Sequence, residues 1–520
     1  MNENANLARA VHRRALDTPE AIALVCQGQT LSYAELAERA ARTAAGLIEG
    51  GAVQASGASQ RVGILASRSV GACVAALGTA WAGATYVPFG LKQPEERLIE
   101  LFRQCDLSAL ITDDAGARLL SPRVIEHCPP LRMHLGTTPA PQGFITATSL
   151  PQAIAAPAFV AADATAYIIF TSGSTGTPKG VMVSACAFRR YVEAVTEVLG
   201  MRADDRVLGV SELAFDVSAH NMFATWHAGG ALHLLPAAAS FSAVAYARKA
   251  GVTVWNSVPS LVGMLRQMRA LGANSLPALR LTAFGGEALP ASIVAAWREA
   301  APHAAIFNVY GPTEATVGCM AQRVDEPPPI TPGRDVIAIG TPFAGTEAAI
   351  VDHDGRMLPH DATGELALAG AQLAQGYLGS PDLTERRFRV IDGKRWYLTG
   401  DLALRDAAGR FHCLGRIDNQ VKVLGYRIEL DEVDAHLRAA SGIDVVGSVA
   451  WPLVDGAAQG IVAFIGASGI DTDNLITALK ERMPAYMVPH QIVALPDMPF
   501  NASGKVDRVA LLHLLRTMPQ

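Results

Sequence analysis

Residues 167–180 read Tyr-Ile-Ile-Phe-Thr-Ser-Gly-Ser-Thr-Gly-Thr-Pro-Lys-Gly, and their types carry the clearest chemistry in the chain. The backbone amides of Gly173 and Gly176, with the hydroxyls of Thr171, Ser172, Ser174 and Thr175, offer a concave set of donors. Such a set suits the oxygens of a polyphosphate, and Lys179 adds a point charge. Taken alone, the run reads more readily as a flexible surface linker. It is not a Walker A loop, because Pro178 stands where a glycine should precede the lysine. The apolar residues 167–170 predict a buried strand leading in, and residues 181–183 a strand leading out.

The elements that must position this loop follow from periodicity. Strand-like and helix-like stretches alternate: a helix over 7–16, a strand over 21–25, and a helix over 36–48 that Ser32 and Glu35 cap as a box. A strand at 61–65, a helix at 70–81, a strand at 85–88, a helix at 94–104 and a strand at 109–112 come next. After the loop, Phe188, Tyr191, Val192, Val195, Val198 and Leu199 mark one helix face, and strands recur near 207–210, 231–235, 252–258, 281–284 and 305–309. The pattern predicts an α/β class with mostly parallel sheets. From about residue 337 short strands alternate with Asp-Gly and Gly turns, which predicts a mainly β subdomain over 337–416. Asp352, Asp354 and Gly355 lack the spacing of a calcium loop and read as a hairpin turn. Beyond Arg416 a βαβ texture returns. The expected organisation is a large N-terminal domain over 1–416, made of two α/β sheets plus the β subdomain, and a small mobile α+β domain over 417–520.

Composition narrows the classes. A chain of 520 residues is too long for a single core. A net charge of -5 without a clustered Lys/Arg run argues against nucleic acid and membrane surfaces as partners. The cysteines at 26, 73, 105, 128, 186, 319 and 413 are scattered, with no C-x-x-C. They predict free thiols in a reducing, cytoplasmic setting rather than a disulfide framework or a zinc site. Residues 70–91 carry no charge, but the glycines and Pro88 within them favour a buried helix and strand over a membrane span.

Further motifs follow the loop in order: 308–314 Asn-Val-Tyr-Gly-Pro-Thr-Glu, 364–366 Gly-Glu-Leu with 375–378 Gln-Gly-Tyr-Leu, and 397–401 Tyr-Leu-Thr-Gly-Asp. Then come 415–429, Gly-Arg-Ile-Asp-Asn-Gln-Val-Lys-Val-Leu-Gly-Tyr-Arg-Ile-Glu, and 501–508, Asn-Ala-Ser-Gly-Lys-Val-Asp-Arg. Together they resemble the adenylate-forming (AMP-binding) superfamily. The likeness is greatest to adenylation domains of nonribosomal peptide synthetases and to free-standing amino acid:carrier-protein ligases. It implies activation of a carboxylate by ATP and Mg2+ to an acyl-adenylate with release of pyrophosphate. Transfer to a phosphopantetheine thiol follows.

By the same resemblance Thr171, Ser172, Gly173, Ser174, Thr175, Gly176 and Lys179 hold the β- and γ-phosphates. Tyr310 stacks on adenine, with Asn308, Val309, Gly311 and the turn of Gly285, Gly286 and Glu287 around the base; Thr313 touches the α-phosphate. Glu314 is the magnesium ligand, and Asp401 accepts the ribose hydroxyls, with Arg416 nearby. Lys505 is the catalytic cation between carboxylate and phosphate, and Asp418 is the hinge. Asp216 falls where amino-acid-activating members keep a carboxylate for the substrate ammonium; its alternative is to cap a helix from Ser218 onward. Val217, His220, Asn256, Ala283, Gly285, Val309, Val317 and Gly318 complete the pocket, with the two glycines expected to leave space. The lining points to an uncharged amino acid of small to medium size. His220 is either a donor to a substrate hydroxyl or a packed wall residue.

Three positions depart from the family pattern: Ala185-Cys186, Gln375 and Leu424 stand where relatives often have histidine, arginine and arginine. No carrier motif follows Arg508 and no condensation domain precedes Asn2. The expected function is therefore a free-standing amino-acid adenylating ligase whose carrier protein acts in trans. Its alternatives are an acyl- or aryl-CoA ligase and a catalytically silent binding member of the fold.

Overall fold

Strands such as Thr85–Phe89 and Ala109–Thr112 are buried along their whole length, so both of their faces must be covered. The computed structural model describes residues 4–53, 60–173, 178–454, 457–501 and 505–517, and it covers them by sandwiching sheets between helices. The chain divides into two units. One comprises Met1–Leu91, Phe102–Phe170 and Gly180–Gly415; the other comprises Lys92–Leu101, Thr171–Lys179 and Arg416–Gln520.

The larger unit holds a nine-stranded sheet in the order Thr341–Pro342, Met320–Arg323, Ala305–Tyr310, Leu281–Gly285, Val254–Ser257, Arg206–Gly209, Ala231–Leu234, Ile22–Cys26, Gln29–Ser32. Its interior pairings are parallel, and its edge pairings are antiparallel. The chain passes from Arg206–Gly209 outward to Ala231–Leu234, then crosses back to Val254–Ser257 on the other flank. That reversal is a topological switch point, and ligands of open α/β sheets bind at the carboxyl ends of strands there. Behind the sheet Trp297 meets Trp255 and Phe284 at ring separations of 5.0 and 5.5 Å, and its Nε1 donates to Thr282 Oγ1 at 2.8 Å.

An eight-stranded sheet runs Gly376–Tyr377, Lys179–Ser184, Thr165–Thr171, Thr85–Phe89, Arg61–Leu65, Ala109–Thr112, Leu131–His134, Ile145–Thr146. Ser32 and Glu35 form the expected capping box on the helix Tyr33–Glu49. The charge-free stretch resolves into the buried helix Val70–Trp81 and the strand Thr85–Phe89. Among the described residues no helix is long and apolar enough to cross a membrane.

The β subdomain differs from expectation in its limits. Its five-stranded sheet takes Thr346–Val351, Thr363–Gly370, Lys394–Arg405, Phe388–Ile391 and Phe411–Arg416. Thr341–Pro342 pairs into the nine-stranded sheet and Gly376–Tyr377 into the eight-stranded one, while Pro381–Arg387 is helical. Turn residues alone do not say which sheet a two-residue strand joins. At the hairpin the Asp352 carboxylate accepts from the amides of Asp354 and Arg356, as a turn aspartate does.

The smaller unit contains two sheets. One runs Tyr426–Glu429, Gln420–Val423, Ala457–Ala458, Leu453–Val454, and the other Val446–Ala450, Ile461–Ile465, Gln491–Ala494. Leu430–Ser441 and Thr472–Lys480 pack over a core that includes Val433, Leu437, Ile461, Ile465 and Leu479. All seven cysteines are free thiols.

The aromatic backing of the nine-stranded sheet sets its rigidity. Trp297→Ala should lower stability by about 3–5 kcal/mol, read as a shift of the urea midpoint at unchanged slope. An unchanged midpoint would show that the cluster does not support the sheet.

Candidate functional site

In parallel register Asn256 lies opposite Ala283, and Gly285 lies opposite Val309. Because side chains alternate along a strand, Asn256, Ala283, Gly285 and Val309 share one face of the sheet. These are four of the expected pocket residues, brought together at the carboxyl ends of their strands. The segment after Arg206–Gly209 supplies Asp216, Val217 and His220, and Val317 and Gly318 follow the strand Ala305–Tyr310. Asp216 opens the four-residue helix Asp216–Ala219, and a π-helical turn, His220–Ala224, follows it. Single π turns inside helices cluster at functional sites, and nothing in the local sequence signalled this one.

Asp216 does not serve as the helix cap. Phe215 holds the N-cap position, with no side-chain cap bond, and Asp216 is already helical. Its charge is felt by three aromatic neighbours. Burial first, and then the Asp216 carboxylate, hold the phenols of Tyr86, Tyr167 and Tyr191 above their usual range. Tyr86 and Tyr167 are 0% exposed, and their hydroxyls have no hydrogen-bond partner among the described residues.

His220 is a wall residue with both ring nitrogens engaged. Nδ1 pairs with Tyr191 Oη at 2.8 Å and Nε2 with Asn256 Nδ2 at 3.1 Å. Asn256 also donates to Asn221 Oδ1 at 3.1 Å. An amide nitrogen only donates, so Nε2 accepts, and the ring hydrogen sits on Nδ1 and points to Tyr191. Burial pushes the imidazole down to about 4, so it is neutral at physiological pH.

The two pocket glycines do not leave space as expected. A Cβ on Gly285 would stand 2.9 Å from the Val309 carbonyl oxygen, and one on Gly318 would stand 2.8 Å from Val309 Cγ1. They admit neighbouring chain, not ligand. Thr316 and Val317 have φ of 60° and 65°, which β-branched residues rarely adopt. Strain of this kind costs about 1–3 kcal/mol and collects at functional sites. Gln372 straps the segment down: its Nε2 donates to the Gly318 carbonyl at 3.0 Å, and the Gln372 carbonyl accepts from Thr316 Oγ1 at 2.5 Å.

The expected nucleotide residues of the larger unit also converge. The Tyr310 hydroxyl donates to the Asp401 carboxylate. Asn308 Nδ2 donates to the Ala338 carbonyl at 2.9 Å, and Glu287 accepts from the amide and hydroxyl of Ser260 at 2.9 and 3.0 Å. Gly286, at φ 81°, makes the turn between them possible. Thr313 opens a 3-10 turn that carries Glu314 inward to 1% exposure. Glu314 Oε1 accepts from Tyr377 Oη at 2.9 Å, so the Gly376-Tyr377 motif orients a buried carboxylate. A hard oxygen ligand held by an outer hydrogen bond fits Mg2+.

In the smaller unit the glycine-rich loop meets anions. The Gly173 amide donates to Glu432 Oε2 at 3.1 Å, and Lys179 Nζ lies 3.4 Å from Glu429 Oε1. Ser172 Oγ donates to the Arg427 carbonyl at 2.8 Å. Thr171 Oγ1 is buried without a partner among the described residues. Ser174, Thr175 and Gly176 lie outside the described residues. Donors that hold carboxylates, beside an unused hydroxyl, suit phosphate oxygens. Arg416 forks onto Asp418 at 2.8 and 2.6 Å.

Lys505 is exposed and bonded to Asn501 in both directions: Lys505 N donates to Asn501 Oδ1 at 3.0 Å, and Asn501 N donates to the Lys505 carbonyl at 2.8 Å. Asp507 caps the helix Arg508–Thr517, and Arg508 anchors it to Asp431 and Asp434 at 2.8 and 2.6 Å. Asn501, Asp507 and Arg508 of the motif thus each have a structural task; Gly504 lies outside the described residues. The sequence reading passed over Tyr191, Asn221, Tyr377 and Gln372 as site residues. Tyr191 had shown only helix-face spacing, Tyr377 lay inside a quoted motif, and Asn221 and Gln372 carried no signal.

His220 makes stability depend on pH. The unfolded imidazole binds a proton near 6.5 and the folded one only near 4. Unfolding therefore takes up a proton in that window, and stability falls as pH drops through it, with no contribution above. Between pH 7 and 5 the loss from this group is about 2 kcal/mol. In His220→Gln the urea midpoint should fall less over that range than in the wild type; equal losses would mean the ring is protonated in the fold.

The AMP-binding enzyme family profile matches residues 11–378. Phenyloxazoline synthase MbtB of Mycobacterium sp. (strain MCS) is 33% identical over 525 residues, covering 98% of this chain and 42% of that protein. The chain thus spans less than half the length of the curated relatives it matches. Among solved structures, the Vibrio cholerae adenylation domain AlmE in complex with glycyl-adenosine-5'-phosphate has a TM-score of 0.88 at 27% identity, covering 100% of this chain and 99% of that one. Holo-PA1221, described as an NRPS protein containing adenylation and PCP domains, has a TM-score of 0.81 at 26% identity, covering 98% and 84%. With a large N-terminal and a small C-terminal domain in the manner of adenylation domains, this chain belongs to the AMP-binding enzyme family.

Proposed function

We propose that this protein activates an amino acid with ATP and passes the aminoacyl group to the phosphopantetheine thiol of a separate carrier protein. Asp216 carries the reading: it is a carboxylate among aromatic side chains, its charge felt by three buried phenols. Low-dielectric surroundings of this kind favour a cationic partner, and an α-ammonium is one. AlmE, bound to glycyl-adenosine-5'-phosphate, and PA1221, which joins adenylation to a carrier domain, support the two halves of the reaction.

In the first half a substrate carboxylate oxygen attacks the α-phosphorus, and the bond to the bridging oxygen of pyrophosphate breaks. Lys505 orients the carboxylate and neutralises the charge that develops on the phosphoryl oxygens. Thr171, Ser172, Gly173 and Lys179 hold the departing phosphates, Tyr310 and Asp401 the nucleoside, and Thr313 the α-phosphate. Mg2+, when bound at Glu314, supplies further neutralisation of the phosphates. In the second half the thiol sulfur attacks the acyl carbon and AMP leaves. Asp418 is the hinge between residues 1–416 and 417–520, which lets one pocket serve both steps.

ATP–pyrophosphate exchange tests the substrate class. Exchange should respond to amino acids and not to acids lacking the amine; a response only to the latter would make the protein an acyl- or aryl-CoA ligase. Lys505→Ala should lower exchange by about 10²–10³ while ATP binding persists, and unchanged exchange would sink the mechanism. Loading of a phosphopantetheinylated carrier, followed by mass spectrometry, tests the second half.

A further inference from the structure

The residues around Lys505 are fastened to the smaller unit in three ways. First, the chain pairs with the residues just before it. Asp507 N donates to the Pro499 carbonyl at 2.8 Å, Phe500 and Val506 form a bridge, and Asn501 and Lys505 bond in both directions. Second, Val506 lies against the strand Val446–Ala450 at Gly447, where an added Cβ would stand 2.7 Å from Val506 Cγ1. Third, Arg508 joins three elements through one guanidinium. Its Nε donates to the Ser448 carbonyl at 3.0 Å, and its Nη2 donates to Asp431 Oδ1 at 2.8 Å and to Asp434 Oδ2 at 2.6 Å. Asp431 and Asp434 stand three residues apart on the helix Leu430–Ser441, so one cation reaches both. Asp431 Oδ1 also accepts from Asn419 Nδ2 at 3.2 Å, and Asn419 follows Asp418, the expected hinge. One carboxylate oxygen thus links the anchor of the lysine segment to the residue beside the hinge.

We infer that Asp431 and Asp434 are positioning residues for adenylate formation, acting through Arg508 to fix where Lys505 is presented. The inference rests on the reading of Lys505 as the cation that orients the substrate carboxylate. Lys505 is exposed, and its flexible stem places the ammonium only as well as the backbone beneath it is placed. Arg508 is three residues on, so at most about 11 Å of chain separates the anchor from the lysine. A displacement of about 1 Å at a reacting group can cost 10² in rate. Asp434 is the buried member of the pair. Burial lifts its carboxyl to about 6 against the pull of Arg508 and Arg438, with Asp431 as a like charge beside it. The anchor is complete above that pH, and it weakens below it as Asp434 takes up a proton.

The test is a set of variants of the full chain in ATP–pyrophosphate exchange. Asp434→Asn should lower kcat by about tenfold or more while the KM for ATP stays within about twofold. Asp431→Asn, at a half-exposed position, should lower kcat by less, and it decides the matter where Asp434→Asn does not fold. Combined with Lys505→Ala, either substitution should cost nothing further, because its effect passes through the lysine. The wild-type kcat should fall as pH drops through about 6, and in Asp434→Asn that limb should be absent. An unchanged kcat in both variants would overturn the inference, and so would an acid limb that Asp434→Asn retains. A loss of the same factor in the Lys505→Ala background would overturn it as well, since a merely structural role predicts that result. Unchanged exchange in Lys505→Ala alone would overturn the reading of the lysine itself, and this inference with it.

Discussion

The parallel register of Val254–Ser257, Leu281–Gly285 and Ala305–Tyr310 is the constraint on which the candidate site depends. Parallel strands in register end together, so residues far apart in sequence surface at one edge with their side chains on one face. The crossing-back of the chain between Ala231–Leu234 and Val254–Ser257 then separates the loop that bears Asp216 from the strand that bears Asn256. Asp216 and Asn256 therefore come from opposite sides of that divide. A slip of one residue in the register would turn Asn256 and Ala283 to the face now occupied by Trp255 and Thr282. The Trp297 cluster on that opposite face is what makes such a slip costly, because it would bring amides among indoles.

Burial at this edge dictates the charge pattern. Taking an imidazole out of water penalises its protonated form, and two neutral partners offer no compensation, so His220 stays uncharged. Tyr86, Tyr167 and Tyr191 are kept as neutral phenols by the same effect, reinforced by Asp216. The outcome is a wall with one anionic group and a set of neutral donors and acceptors. In such a wall an unmade hydrogen bond costs more than a made one gains.

Much of the scaffold was legible in the sequence. Arg61–Leu65 and Val70–Trp81 have the bounds their apolar pattern gave, and Ser32 with Glu35 forms its capping box, because each is decided by residues within a few positions. Asp216, Asn256 and Glu314 were reached through ordered motifs, which record a fold's outcome without its physics. What stayed hidden depends on contacts between distant segments. Gly285 and Gly318 looked like space because a missing side chain says nothing about what fills its place, and Val309 fills it. The role of Tyr377 as support for Glu314 spans 63 positions, and the strap of Gln372 on Gly318 spans 54. The left-handed Thr316 and Val317 run against local preference, and only tertiary bonds hold them there.

The glycine-rich loop had two readings from composition, a linker or a phosphate holder, and its described residues make definite contacts within the smaller unit. A linker keeps its amides and hydroxyls in water. Here the Gly173 amide and the Lys179 ammonium are each matched to a carboxylate, and Thr171 Oγ1 is withdrawn from solvent. Glu432, the partner of Gly173, is itself held at 2.6 Å by Arg97, and burial nonetheless raises its pKa. An anion in that position is therefore held against a desolvation cost, repaid only by donors already aimed at it. A phosphate group brings more negative charge and more acceptor oxygens to the same donors than a carboxylate does. Two of the loop's described donors are thus already matched to anions, Glu432 at Gly173 and Glu429 at Lys179.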